Sequence, residues 1–385
     1  MRVYFDYNAT TPLAPEVTDA VLRTMRDVFG NASSIHHFGQ QAKATLDEAR
    51  SAVAALLNAD PSEIVFTSGG TESDNLAIRG AADAIEGRRH LIASGIEHEA
   101  VLNTLRALAR RGWRTTLLPA DTSGLISPER LRDVIDADTA LVSVMHANNE
   151  VGTIQPVAAL AAIAHEHGAL MHTDAVQSAG KIPVDVRALG VDLLSLSAHK
   201  FNGPKGAGAL WIKRGTRMQP TVTGGKHERN RRAGTENVAG IAGLGVAAAL
   251  AAGKMSTDAV RVAALRDRLE AGILRDVPGT ALNGARDARV PNTTNISFER
   301  VEAESLLIAL DLEGIAVSTG SACSSGTLEP SHVLKAMGLP SHRTQNSLRF
   351  SLGLFSTQDE VDRVVEVLPR LVEKLRGLTR KPVHV

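Results

Sequence analysis

A lysine that follows an apolar run is the first candidate for chemistry in this chain. Lys200 ends the segment 191–200, whose apolar residues predict a buried strand, and the turn-forming segment 202–206 follows it. Desolvation at such a place lowers the pKa of an amine and exposes a nucleophile suited to Schiff-base chemistry. For any single lysine, an ordinary surface position is the competing interpretation.

A carboxylate ends another apolar run. Asp174 closes the predicted strand 169–173, and Gln177 follows three residues later. A carboxylate at the end of a buried strand is costly unless it meets a cation, and the protonated nitrogen of a pyridine cofactor would supply one. The alternative for Asp174 is a helix N-cap.

A glycine turn follows the predicted strand 64–67. Gly69 and Gly70 allow close approach of a ligand to the backbone, and the start of the next helix offers free N–H groups to a phosphate. Plain helix capping by Thr71 or Ser73 is the competing interpretation.

His98 also follows a predicted strand, 90–94. The chain has only 2 Trp, 2 Tyr and 8 Phe, so a planar cofactor ring would find few stacking partners. A histidine can both stack on a ring and transfer protons near neutral pH. A hydrogen-bonded structural histidine is the alternative.

The single cysteine lies in an unusual composition. Cys323 stands in the Ser- and Gly-rich segment 318–327, which has no apolar periodicity and predicts an exposed loop. An exposed thiol is usually avoided unless it is used, so we interpret Cys323 as a nucleophile rather than a buried small hydrophobe.

An arginine occurs inside an otherwise apolar strand, 347–351. The half-buried guanidinium of Arg349 needs a carboxylate, and bidentate pairing with a substrate carboxylate is one solution. A salt bridge to another segment of the chain is the other.

Predicted strands alternate with helices from about residue 60 to 215, which indicates an α/β fold with a mostly parallel sheet. The strand at 207–212 is predicted to close this sheet in the antiparallel direction. The reactive residues fall after the strands, and ligands bind at that edge of an open α/β sheet. Amide groups of the segment 146–150 are expected at the same edge.

Beyond residue 255, helices mix with short strands, which predicts a smaller α+β domain. We expect a large domain at 15–255 and a small one formed by 1–14 and 256–385 that carries the Cys323 loop. The glycines of 243–245 follow no strand, so they predict tight helix packing rather than a dinucleotide site.

The composition excludes several classes of protein. Lys+Arg and Asp+Glu both number 42 among 385 residues, so the basic excess of a general nucleic-acid binder is missing. A lone cysteine rules out an intramolecular disulfide, and no metal site is expected. The absence of a signal-like N-terminus and of a long apolar span predicts a cytoplasmic protein that does not bind membranes.

Taken together, these motifs resemble the fold-type I pyridoxal phosphate (PLP) enzymes of aminotransferase class V, and among them the NifS/IscS cysteine desulfurases. The resemblance runs almost from end to end and rests on six ordered blocks of sequence. The blocks are 5–12, 67–75, 148–152, 197–200, 232–237 and 321–326.

The resemblance implies a seven-stranded sheet, PLP as the cofactor and L-cysteine as the substrate. It implies that Lys200 bonds to PLP and later moves protons at the substrate Cα, while Asp174 pairs with the pyridinium nitrogen. His98 would stack on the ring and exchange protons with the substrate thiol. The other implied contacts are Gln177 and Asn149 at the ring oxygen; Gly70, Thr71, Ser197, His199 and Thr235 from a second subunit at the phosphate; and Arg349 and Asn31 at the substrate carboxylate.

By the same resemblance, Cys323 takes the sulfur as a persulfide, the protein is a homodimer, and an acceptor such as an iron–sulfur scaffold receives the sulfur. The short segment after the last predicted helix, together with 234–238, favours the NifS branch. The alternatives are a selenocysteine lyase or another class V PLP aminotransferase or lyase. A cofactor-free interaction protein or a nicotinamide dehydrogenase fits the motifs less well.

Overall fold

We describe the fold from a computed structural model of the chain, which describes residues 2–320 and 330–379. Twelve strands and twelve α-helices are found in these two ranges. The strands are β1 (Val3–Tyr4), β2 (Ile64–Thr67), β3 (His90–Ser94), β4 (Arg114–Leu118), β5 (Thr139–Ser143), β6 (Leu170–Asp174), β7 (Leu193–Ser197), β8 (Gly208–Ile212), β9 (Thr280–Asn283), β10 (Thr293–Phe298), β11 (Ile315–Ala316) and β12 (Ser347–Ser351).

The helices are α1 (Pro15–Asp27), α2 (His37–Leu56), α3 (Gly70–Ala84), α4 (Glu99–Ala109), α5 (Pro128–Val134), α6 (Val157–Glu166), α7 (Val186–Leu189), α8 (Val238–Asp276), α9 (Ala303–Leu312), α10 (His332–Ala336), α11 (Ser341–Gln345) and α12 (Gln358–Thr379).

The predicted seven-stranded, mostly parallel sheet is confirmed. Its strand order is β2-β8-β7-β6-β5-β3-β4, and only β8 runs antiparallel to its neighbours. Both faces are covered, as parallel sheets require. Along β3, Leu91 and Ala93 enter one core while Ile92 enters the core on the opposite face, because side chains alternate along a strand.

A separate core surrounds the three-stranded sheet β12-β10-β9. Its largest side chains include Phe5, Phe298 and Phe350, all fully buried. The N-terminal strand β1 pairs in parallel with β11, and Val3 and Phe5 join this core. The domain division near residue 255 stays a prediction, since α8 runs unbroken through that position and contributes side chains to both cores.

The helix α8 packs closely on α1 and α2, which confirms the packing role predicted for its glycines. A Cβ added to Gly243 would lie 2.7 Å from Val21 Cγ2, and one added to Gly245 would lie 2.6 Å from the Ala49 Cα. By length and composition alone α8 is also long and apolar enough to cross a membrane, a test that core helices of soluble proteins pass as well.

We expect Gly245→Ala to destabilise the protein. The added methyl group meets backbone rather than a movable side-chain end, and overpacking of this kind costs about 1–3 kcal/mol. Gly253→Ala is the matched control in the same helix, since a Cβ there has nothing within 4 Å. Replacing that exposed glycine should raise stability by about 0.5–1 kcal/mol. The free energy of unfolding of both variants is measured in urea. Equal values for the two variants would contradict the tight packing around Gly245.

Candidate active site

The chemically active residues meet at the carboxyl edge of the parallel strands. The glycine turn follows β2, His98 follows β3, Asp174 ends β6, and Lys200 stands three residues after β7. Because parallel strands share one carboxyl edge, side chains distant in sequence are brought to one place. The strand pattern predicted this convergence, and the topology confirms it.

The glycine turn lies directly against the ends of β6 and β7. Gly69 has a φ of 154°, and a Cβ on it would lie 3.6 Å from Ser197 Oγ. A Cβ on Gly70 would approach Val176 Cγ2 to 2.8 Å. The helix α3 begins here without a side-chain cap, and its first residue, Gly70, lies beside Ser197. Free N–H groups at a helix start favour an anionic group such as a phosphate.

Asp174 is a buried carboxylate with little local compensation. Among the described residues its side chain accepts one hydrogen bond, from the backbone N–H of Val176 at 2.8 Å. Burial raises the pKa of Asp174, while the Val176 hydrogen bond and the nearby His98 and Lys200 lower it. A buried carboxylate of this kind is stabilised by a cationic ligand.

His98 caps α4 and keeps one ring nitrogen free. Its Nδ1 accepts a hydrogen bond from the Ala100 backbone N–H at 3.1 Å, so the neutral ring carries its proton on Nε2. Surrounding protein atoms lower the pKa of His98, and the charge of Asp174 opposes this shift. The ring nevertheless remains accessible to solvent in the single chain. It can therefore meet a ligand and exchange protons through Nε2.

Lys200 has the properties of a reactive amine. Burial lowers the pKa of Lys200 to about 8, with Arg349 adding to the shift and Asp174 opposing it. Its Nζ donates to the backbone carbonyl oxygens of Asn8 (2.5 Å) and Ala9 (2.9 Å). Near neutral pH, a larger fraction of this amine is unprotonated than for an exposed lysine.

Asn8 forms hydrogen bonds with several of these residues, and the sequence analysis did not single it out. Its backbone oxygen accepts from both Lys200 Nζ and Gln177 Nε2, the latter at 3.0 Å. Lys181 Nζ donates to Asn8 Oδ1 (3.1 Å) and to Gln177 Oε1 (2.7 Å). Burial, together with Lys200 and Arg349, lowers the pKa of Lys181 well below its ordinary value. Asn8 lies within the block 5–12, so its position in that block was the available signal.

Arg349 forms the internal salt bridge that was one of its two predicted outcomes. Its Nη2 donates to Asp6 Oδ1 at 2.7 Å and its Nη1 to the Asn149 backbone oxygen at 2.9 Å. Its buried Nε has no hydrogen-bond partner within the described ranges, and neither has the buried Oδ1 of Asn149. An anionic ligand would satisfy the first of these atoms and a polar donor the second.

Two further buried carboxyl groups surround Asp174 and were missed in the sequence. Burial raises the pKa of Glu97 to about 8, although Ser94 Oγ and the Met145 N–H donate to it. Burial and the neighbouring Asp174 raise the pKa of Asp74 well above its usual range. With a pKa of about 8, Glu97 is largely protonated at neutral pH and adds little negative charge beside Asp174. No sequence pattern separates them from ordinary surface acids.

The structure places the remaining predicted site residues less close to this group. His199 contacts Thr10 Oγ1 through Nδ1 at 3.1 Å. Asn31 and Thr235 are exposed on loops, and Asn31 bonds to Ser33. Cys323 lies outside the described residues. Within 2–320 and 330–379, no group of three or more His, Cys, Asp or Glu side chains is arranged to hold a metal ion.

Comparisons with known proteins place these observations in a family. The family described as aminotransferase class-V matches residues 3–364. A curated relative named cysteine desulfurase IscS, from Dictyoglomus turgidum, is 50% identical over 379 residues, covering 98% of this chain and 96% of the relative.

Solved structures agree with this match. A NifS-like protein superposes with a TM-score of 0.89 at 38% identity, covering 98% of this chain and 99% of that one. A structure described as SspA in complex with cysteine superposes with a TM-score of 0.81 at 36% identity, covering 93% of this chain and 100% of that one. The resemblance drawn from the sequence motifs is confirmed. The assignment to the NifS branch stays a prediction, because both IscS and NifS-like names occur among these proteins.

Proposed function

The chain belongs to the aminotransferase class V family, and from this premise we propose that it is a PLP-dependent cysteine desulfurase. It converts L-cysteine to L-alanine and transfers the sulfur to Cys323. One observation carries the proposal: Asp174, His98 and Lys200 interact electrostatically at one edge of the sheet, each shifting the pKa of another. This is the set of a carboxylate, an imidazole and an amine that PLP chemistry uses.

The residues present fit PLP. The uncapped start of α3 at Gly70 and Thr71, with Ser197 beside it, suits the phosphate. Asp174 suits the protonated ring nitrogen, and the buried Oδ1 of Asn149 has no partner among the residues that the structure describes. Gln177, His98 and His199 complete the proposed contacts, with Thr235 supplied by a second subunit.

When bound, PLP withdraws electrons from the substrate Cα and makes its proton acidic. Lys200 then removes and returns protons at that carbon, because its lowered pKa leaves a larger unprotonated fraction near neutral pH than an exposed lysine has. Asp174 keeps the ring nitrogen protonated. His98 moves a proton at the substrate sulfur through Nε2, the nitrogen left free by its hydrogen bond to Ala100.

The sulfur transfer is balanced without an added oxidant. The Cys323 thiolate attacks the sulfur of L-cysteine, an S–S bond forms, the Cβ–S bond breaks, and Cβ gains a proton. The products are L-alanine and a persulfide on Cys323. Arg349 and Asn31 hold the substrate carboxylate, so that the sulfur is presented to the thiol in a constant orientation.

We also propose the oligomeric state, the cellular location and the sulfur acceptor of the enzyme. We expect a homodimer, in which Thr235, exposed in the single chain, would reach the phosphate of the other subunit. We also expect the enzyme to be cytoplasmic. The persulfide is passed to an acceptor protein such as an iron–sulfur scaffold.

The decisive assay measures L-alanine and sulfide released from L-cysteine in the presence of a thiol reductant, beside the same measurement with L-selenocysteine. We expect turnover of cysteine with alanine and sulfide in equal amounts. Turnover of selenocysteine alone would establish the lyase instead. Purified protein that takes up no PLP would contradict the whole assignment.

Replacing Arg349 tests the substrate-binding role. We expect Arg349→Lys to raise the KM for L-cysteine about 10–100-fold with little change in kcat, because a charged hydrogen bond of about 1.5–3 kcal/mol is lost equally from ground and transition states. Arg343→Lys is the control, since Arg343 bonds to Leu282 and Asn283 on β9. An unchanged KM would assign Arg349 to its salt bridge with Asp6 alone.

A further inference from the structure

A second lysine, which the proposed mechanism does not use, bonds to Gln177. Lys181 Nζ donates to Gln177 Oε1 at 2.7 Å and to Asn8 Oδ1 at 3.1 Å. The preceding residue, Gly180, has a φ of 76°, and a Cβ on it would lie 2.6 Å from Phe201 Cβ. A glycine is needed for this conformation and this close approach, which brings Lys181 to the segment that carries the reactive amine.

The side-chain amide of Gln177 is held at both ends by groups of opposite kind. Its Nε2 donates to the Asn8 backbone oxygen at 3.0 Å, and its Oε1 accepts from Lys181. A carbonyl oxygen only accepts, whereas the lysine amine donates, so the two contacts fix which end of the amide faces which neighbour. Gln177 is 4% exposed, so both contacts are made in a largely desolvated place, where hydrogen bonds are strong.

The second acceptor of Lys181 does not depend on it. Asn8 Oδ1 also accepts from Asn292 Nδ2 at 2.9 Å, and both asparagines are buried. If the lysine amine is removed, Asn8 Oδ1 therefore keeps a donor. Gln177 Oε1, in contrast, loses the one hydrogen bond that it accepts from the described part of the chain. The loss of Lys181 is thus felt mainly at Gln177.

From this geometry, and resting on the proposed function, we propose that Lys181 is a positioning residue for Gln177: it holds the amide oxygen, which leaves the second N–H of Nε2 for the ring oxygen of PLP. Nε2 carries two hydrogens, and the hydrogen bond to Asn8 uses one of them. The ring oxygen carries negative charge, so it is stabilised by an N–H donor and repelled by an amide oxygen. Lys181 acts through Gln177 and is not itself a catalytic residue.

The state of charge of Lys181 does not affect these bonds. Burial, Lys200 and Arg349 lower the pKa of Lys181 well below its ordinary value, which favours the neutral amine. A neutral amine still has two N–H groups, one for each acceptor. Replacing Lys181 by methionine therefore removes two hydrogen-bond donors at nearly constant volume.

The test is a double-mutant cycle on the dissociation constant for PLP, measured by visible absorbance as PLP is added to cofactor-free protein. We expect Lys181→Met and Gln177→Ala each to weaken PLP binding about tenfold, because each loses one hydrogen bond to a charged oxygen. The double variant should bind PLP only as weakly as Gln177→Ala alone, since Lys181 acts through that amide. Lys181→Arg, which keeps the donors, should bind PLP like the wild type. Lys254→Met is the control, because Lys254 is exposed and lines the same cavity as Lys181.

Two results would overturn the proposal. One is an additive loss in the double variant, which would show that Lys181 acts independently of Gln177. The other is wild-type PLP affinity in a Lys181→Met protein whose thermal melting shows that it is folded. If that variant does not fold, Lys181→Ala removes the same donors without placing a new side chain against the two oxygens, and the cycle is measured with it.

The affinity measurement separates this proposal from the proposed activity. If the cycle behaves as expected in a protein that forms no alanine from cysteine, the desulfurase assignment fails and the role of Lys181 stands. If alanine is formed but the losses are additive, the role of Lys181 fails alone. Wild-type protein that takes up no PLP would contradict both.

Discussion

Lys200→Ala is expected to give a colourless protein that forms no alanine from cysteine. In the proposed mechanism this amine attaches the cofactor and moves the Cα proton, and loss of a positioned acid–base group alone costs about 100–10,000-fold. We therefore expect turnover to fall at least about a thousand-fold. The measurements are visible absorbance after desalting and alanine release under saturating L-cysteine.

Lys205→Ala is the matched control for that experiment. Lys205 is exposed and lies five residues further along the same turn, so its removal should leave colour and turnover unchanged. A yellow, active Lys200→Ala protein would show that another amine carries the cofactor. Lys181 would then be the first candidate, because its pKa is also lowered by burial.

Cys323→Ala is expected to keep the colour and lose the product. PLP uptake and the spectral change on adding L-cysteine should match the wild type, since neither depends on the thiol. Alanine release should fall at least about 100-fold, because removing the proposed nucleophile would leave only slow background reaction. No second cysteine in the chain can replace it.

Mass spectrometry tests directly whether Cys323 takes up the sulfur. Wild-type protein treated with L-cysteine and no reductant should gain one sulfur atom on the peptide that contains Cys323. Ser325→Ala, on the same segment, should gain it as well. Full turnover by Cys323→Ala would remove the persulfide step and favour an enzyme that releases sulfur directly.

Local sequence patterns located most of the secondary structure around the site. The apolar runs at β2, β3 and β7 carry their own signal, since each is short, buried on both faces and followed by a turn. The prediction was weaker at α8, where a change in composition near residue 255 suggested a boundary. The helix continues because that stretch contains no proline, and the single Gly253 costs only about 1 kcal/mol relative to alanine.

The sequence by itself determined the class of fold and the family, and it predicted a group of reactive residues. Strand–helix alternation, residues that follow strand ends and long ordered blocks are all local properties. Only the tertiary structure decided which distant residues are in contact. It joined Asn8 to Lys200 across 192 positions and Asp6 to Arg349 across 343, and brought Ser331 to Glu150. Such contacts, and the pKa shifts that burial causes, depend on how distant segments pack, and no local pattern encodes that.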